Sequence, residues 1–161
     1  MPPRSRNKNP DDPEAARLRA LRLLGRREHG AKELEHKLAV RGVAGDQAQK
    51  IVGELAQSGW QSDTRYVASM VRQRVEQGYG PLRIEAELEA AGVAEALIRE
   101  TLAANGADWK ALATALQERK FGHLPKSASD WQKQYRYLAG RGFDVGQIRT
   151  ALKGEPPEDR D

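Results

Sequence analysis

The chain has 161 residues, 31% of them charged and 39% hydrophobic, with a mean hydropathy of -0.76; this suits thin helical layers better than one deep core. It contains no cysteine, which excludes disulfides, thiol catalysis and zinc–thiolate sites. A net charge of +4 and a pI near 9.5 permit contact with nucleic acid or an acidic protein surface without demonstrating either.

Residues 1–12 are rich in proline and asparagine and read as a disordered arm; they carry Arg4, Arg6 and Lys8 but no apolar core of a signal peptide. Asp12-Pro13 supplies an N-cap followed by proline at the first helical position. Apolar spacing then predicts nine helices near 13–27, 31–41, 44–58, 63–77, 81–91, 94–104, 108–121, 128–140 and 144–153. No stretch alternates apolar and polar residues with β-branched enrichment, so no strand is expected. Residues 155–161, with two prolines and four acids, read as an acidic tail. No apolar run is long enough for a membrane span, and the expected location is the cytoplasm.

A period of 50 residues runs through these elements. Leu38, Leu88 and Leu138 share one column; Gly42, Gly92 and Gly142 follow four positions on; Val43, Val93 and Phe143 come next. Ala48, Ile98 and Ile148 form a fourth column, and Val52, Leu102 and Leu152 a fifth. Gly30 and Gly80, and Leu34 and Ile84, keep the same spacing, whereas the third copy departs with Asp130 and Gln134. Gly42, Gly92 and Gly142 each stand just past a helix, where a left-handed residue closes the last turn. The expected fold is all-α: three tandem three-helix repeats in an elongated array, curved or straight, at 13–62, 63–107 and 108–154. Units this small lean on their neighbours.

The stretch Ser58-Gly59-Trp60, Ser62-Asp63-Thr64-Arg65-Tyr66-Val67-Ala68 and Gly78-Tyr79-Gly80-Pro81, followed by Ile84 and Leu88, resembles the RecX family of bacterial regulators of the recombinase RecA. Leu23-Leu24 to Arg26-Arg27 with Glu33-Leu34 and Lys37-Leu38, and later Tyr135, Leu138 and Arg141-Gly142-Phe143, are similar to the same family. The resemblance covers about residues 15–153. It implies three three-helix repeats, binding to RecA–DNA filaments, and inhibition of filament growth, ATP hydrolysis and recombinase activity. It thereby implies modulation of DNA repair and the SOS response. It also implies weak, salt-sensitive affinity for single-stranded DNA, with double-stranded DNA as a second candidate.

Charge is unevenly spread, with residues 15–63 at net +3, 64–108 at -2 and 109–154 at +6. Phosphate contact needs clustered cations that release counterions. Arg22, Arg26, Arg27, Lys32, Lys37 and Arg41 form one candidate cluster, and Lys126, Lys133, Arg136, Arg141 and Arg149 another; individually each also fits a solvated helical surface. Trp60, Tyr66 and Tyr79 are expected to anchor the first repeat to the second rather than to stack on bases. Tyr135 and Tyr137 lie about 200° apart around a helix, so one is expected to be exposed.

Gly78-Tyr79-Gly80 lacks the ending of a phosphate loop and reads as a helix stop and start. His29, His36 and His123 form no paired metal motif, and no acid is paired with a nucleophile, so no cofactor, metal or catalytic activity is expected. Three-helix units with a glycine turn also resemble helix-turn-helix elements, which leaves a DNA-binding module acting without RecA as the alternative.

Overall fold

The structure is a computed structural model that describes residues 12–158. The expected disordered arm at 1–12, apart from Asp12, and the end of the acidic tail at 159–161 lie outside the described residues. Among the described residues there are nine helices and no strand: α1 Pro13–Arg26, α2 Ala31–Val40, α3 Gly45–Gln57, α4 Asp63–Glu76, α5 Pro81–Ala90, α6 Glu95–Asn105, α7 Trp109–Phe121, α8 Ala128–Gly140 and α9 Val145–Leu152. These are the helices the apolar spacing predicts.

The helix starts follow from local chemistry. Asp12, Asp108 and Ser127 accept from backbone N–H groups in the first turns of α1, α7 and α8. Ser62 does the same for α4, and Asp144 with Gln147 completes a capping box on α9. Helix α2 begins at Gly30, which has no side chain; its cap comes from Asp63, whose Oδ1 accepts from the Ala31 N–H at 2.8 Å.

The repeated columns define the interior. Leu38, Leu88 and Leu138 are fully buried, as are Ala48, Ile98 and Ile148 to within 1%, and Val43, Val93 and Phe143 are buried beside them. In the fifth column Val52 and Leu152 are buried and Leu102 is half-buried. Gly42, Gly92 and Gly142 have φ of 96°, 80° and 99°, the left-handed conformation that closes a helix. In the first and third copies the next residue donates back over the turn, Val43 to Leu38 at 3.1 Å and Phe143 to Leu138 at 3.2 Å.

The chain divides into two compact units. The first runs to Val67 and takes in Ala91–Val93; the second holds Ala68–Ala90 and the described chain from Ala94 on, so the division falls within α4. The core of the first is Ala16, Ala20, Leu34, Leu38, Val43, Ala48, Ile51, Val52 and Leu55, from α1, α2 and α3 and the turn between the last two. A core of the second gathers Ala113, Leu116, Leu138, Phe143, Ile148, Ala151 and Leu152, with Trp109, Trp131, Tyr135 and Tyr137 packed against it.

The departure of the third copy has a physical reason. Gln134, in the column of Leu34 and Ile84, is fully buried; its Oε1 accepts from Gln117 at 2.9 Å, and its amide donates to the His123 carbonyl at 3.3 Å. Gln117 donates to the same carbonyl at 2.7 Å. A polar pair replaces an aliphatic one here because it must hold the connection from α7 to α8, whose carbonyl faces inward.

Candidate functional site

Helices α1 and α2 of the first unit leave an open cleft of about 520 Å³ between them, lined by Arg19, Arg22, Leu23, Arg26, Lys37, Val40 and Arg41. The helical period explains the set. Arg22, Leu23 and Arg26 lie three, four and seven residues after Arg19 on α1, and Val40 and the C-cap Arg41 lie three and four after Lys37 on α2, so each group shares one face. Leu23 packs against the core and forms apolar floor, while Val40 is 70% exposed.

Four acids of the first unit pair with other basic residues and lie outside the cleft lining. Glu54 pairs with Arg17 at 3.7 Å, Glu33 with Arg27 at 2.7 Å, Glu35 with Lys32 at 3.7 Å and Glu28 with Arg65 at 2.9 Å. Arg19, Arg22, Arg26 and Arg41 make no ion pair among the described residues. Five cations therefore face one concavity with no carboxylate lining it.

Arg27 and Lys32, placed by sequence in the same cluster, line no part of the cleft. Arg27 makes a two-pronged contact with Glu33, at 3.0 and 2.7 Å, and the aliphatic stem of Lys32 lies over Gly92. Burial pushes the Glu33 carboxyl up, but the Arg27 guanidinium outweighs it and holds the group below the usual range. The hydrogen bond that Arg27 donates to Glu33 raises Arg27 in return. Lys37 reaches two ways, lining the cleft and donating to Nε2 of buried His29 at 2.9 Å.

Two of the basic residues expected to cluster in the third repeat are held by partners of their own. Arg141 sits 4.1 Å over the Tyr79 ring and donates to the Gly78 and Gln77 carbonyls, so its charge staples the segment before α5. Arg149 pairs with Glu155 at 3.3 Å. Lys126, Lys133 and Arg136 are exposed, the last two on α8.

The aromatic residues correct two expectations. Trp60 is 59% exposed and so is not an internal anchor: it follows Gly59, whose φ of 83° turns the chain outward as α3 ends. Tyr66 is buried, with ring atoms 3.0 and 3.1 Å from where a Cβ on Gly30 would stand, and it joins α4 to the first repeat. Tyr79 lies between Arg83 and Arg141, each 4.1 Å from its ring centre, and so links the second repeat to the third rather than the first to the second. Tyr135 and Tyr137 are both half-buried instead of one being exposed: Tyr135 stacks on Trp131 at 5.0 Å, and Tyr137 meets Phe121 edge-on at 5.5 Å. The 200° separation holds, but each side of α8 has its own aromatic partner.

Sequence reasoning missed Arg19. Its signal was present, since Arg19, Arg22 and Arg26 keep helical spacing. Among the described residues no group of His, Asp and Glu is arranged to hold a metal ion, and no helix is long and apolar enough to cross a membrane.

Comparison with known proteins agrees with this architecture. Residues 16–55, 62–102 and 108–152 match the models for the first, second and third three-helix domains of RecX. The chain is 41% identical over 141 residues to the regulatory protein RecX of Stenotrophomonas maltophilia (strain K279a), covering 87% of this chain and 86% of that one. It is 46% identical over 136 residues to the regulatory protein RecX of Xanthomonas axonopodis pv. citri (strain 306), covering 84% of each. The crystal structure of RecX from Lactobacillus salivarius superposes with a TM-score of 0.74 at 22% identity, over 89% of this chain and 96% of that one.

Proposed function

The chain belongs to the RecX family, and from that premise we propose that it regulates recombination by binding RecA filaments on DNA and restraining their growth, ATP hydrolysis and recombinase activity. Through RecA it would modulate DNA repair and the SOS response, in the cytoplasm. The observation that carries this reading is the match of all three three-helix domains in chain order. The protein acts by occupancy rather than catalysis in this reading.

The test is ATP hydrolysis by RecA on single-stranded DNA, with this protein added below the RecA concentration. Hydrolysis should slow. An unchanged rate at equimolar protein overturns the proposal.

The cleft between α1 and α2 supports a second reading, a DNA-binding module that needs no recombinase. Tight, sequence-selective binding to DNA alone that survives moderate salt would favour it. Weak binding that falls steeply with salt makes DNA contact an accessory to filament regulation.

A further inference from the structure

We propose that the α1–α2 cleft of the first repeat is the protein's site for single-stranded nucleic acid, with Arg19, Arg22, Arg26 and Arg41 on the phosphates and Leu23 and Val40 under a base. This rests on the DNA contact within the proposed function, and it locates that contact away from the repeat with the larger net charge.

Three observations lead to a polyanion. First, Arg19–Arg22, Arg22–Arg26 and Lys37–Arg41 are like-charge pairs at three or four residues' spacing, and such pairs weaken a helix. Among the described residues no acid pairs with the four arginines, and a bound anion would compensate them. Second, the helix dipole accounts for Arg26 and Lys37, which stand in last turns, but not for Arg19 and Arg22 in the body of α1. Third, the arginines are spaced along α1 and the end of α2, a distribution suited to repeated phosphates.

Two further features select a single strand. The cations line a cleft between helices, and its apolar surface is continuous with them: Leu23 forms floor and Val40 is 70% exposed. A duplex turns its base faces inward and offers such a surface only sugar and phosphate. An unpaired base can lie flat on it.

Binding of a labelled oligothymidylate of about 30 nucleotides is measured across a salt series, without RecA, so the outcome is separable from the ATP-hydrolysis test. Wild-type affinity should fall steeply with salt. The variant R19A/R22A/R26A/R41A should bind at least about tenfold more weakly, and its log–log salt slope should be shallower by about 3, as expected for four lost phosphate contacts on a single strand. Val40→Ser should weaken binding about equally at all salt concentrations. K126A/K133A/R136A should keep a slope within about 1 of wild type. Far-ultraviolet circular dichroism should be unchanged in all three. Absent wild-type binding, a cleft variant within twofold of wild type, a loss carried by the third-repeat variant instead, or tighter binding of a duplex of equal length would each overturn the assignment.

Discussion

The backbone of Gly80 lies against that of Gly142, so closely that a Cβ on Gly80 would stand 2.6 Å from the nitrogen of Phe143. The approach is fixed by hydrogen bonds: Gly80 N–H donates to the Arg141 carbonyl at 2.8 Å and Leu82 N–H to the Gly142 carbonyl at 2.9 Å. The start of α5 is thereby joined to the turn between α8 and α9. The obstructing atoms are backbone and cannot swing aside.

Gly80→Ala is therefore expected to destabilise the protein by about 1–3 kcal/mol, the usual range for forced overpacking. Gly53→Ala is the control. Gly53 lies inside α3 with nothing within 4 Å of an added Cβ, so alanine there should stabilise by about 0.5–1 kcal/mol through helix propensity. Urea midpoints compared at equal m-value report both signs. Equal effects from the two substitutions would mean that the Gly80 contact is not present in solution.

Helix positions were legible in the sequence because i,i+4 pairs and glycine stops are local signals. Leu38 and Gly42 declare a face and an end within five residues. The role of Gly80 was only half legible. Its place before Pro81 marks a helix start, but the close approach of Gly142 involves residues 62 positions away, beyond any local pattern. The candidate site divided in the same manner. Arg22, Arg26, Lys37 and Arg41 were visible as cations on helical faces, whereas the pairing of Arg27 with Glu33 and the stapling by Arg141 depend on where the chain returns.

Leu88 tests the repeat columns. It is fully buried on α5, as Leu38 is on α2 and Leu138 on α8. Leu88→Ala should cost about 2–5 kcal/mol, the range for a buried leucine truncated to alanine. A cost below about 0.5 kcal/mol would place Leu88 on the surface and break the equivalence of the three columns.

His29 sets a pH dependence. The ring is 1% exposed; Nδ1 lies 3.0 Å from the Arg27 carbonyl, and Nε2 lies 2.9 Å from the Lys37 ammonium. A carbonyl only accepts and an ammonium only donates, so the neutral ring carries its proton on Nδ1. Burial lowers the His29 pKa below its ordinary 6.5; the Arg27 and Lys37 charges act in the same direction, and the Arg27 carbonyl and Glu33 oppose them. The unfolded ring thus takes up its proton first as pH falls. Stability tied to His29 is fully present above 6.5 and is lost below it, until the folded ring also protonates. Glu33 titrates below the ordinary 4.5, so the window just under 6.5 is not its own. Urea midpoints should drop more for wild type than for His29→Gln between pH 7 and pH 5.5. Parallel curves for the two proteins would show that the buried ring does not govern this range.

Trp60 and Tyr66 stand six residues apart, and the structure assigns them opposite energetic roles. Tyr66 is buried against Gly30, so Tyr66→Ala should cost about 3–5 kcal/mol, as for other buried aromatic truncations. Trp60 is exposed, yet the backbone of its turn is held by three hydrogen bonds. Its N–H donates to the Leu55 carbonyl at 2.9 Å, and the Arg65 guanidinium donates to the carbonyls of Gly59 at 2.8 Å and Trp60 at 3.2 Å. None of these bonds uses the indole, so Trp60→Ala should change stability by no more than about 0.5 kcal/mol. Thermal unfolding of the two variants separates the roles, and a cost at Trp60 comparable to that at Tyr66 would restore it as an internal anchor. If the two differ as expected, a large apolar ring is held in solvent by a turn that Arg65 keeps in place. If the protein restrains RecA as proposed, loss of that effect in Trp60→Ala at unchanged stability would then report lost partner contact and not lost fold.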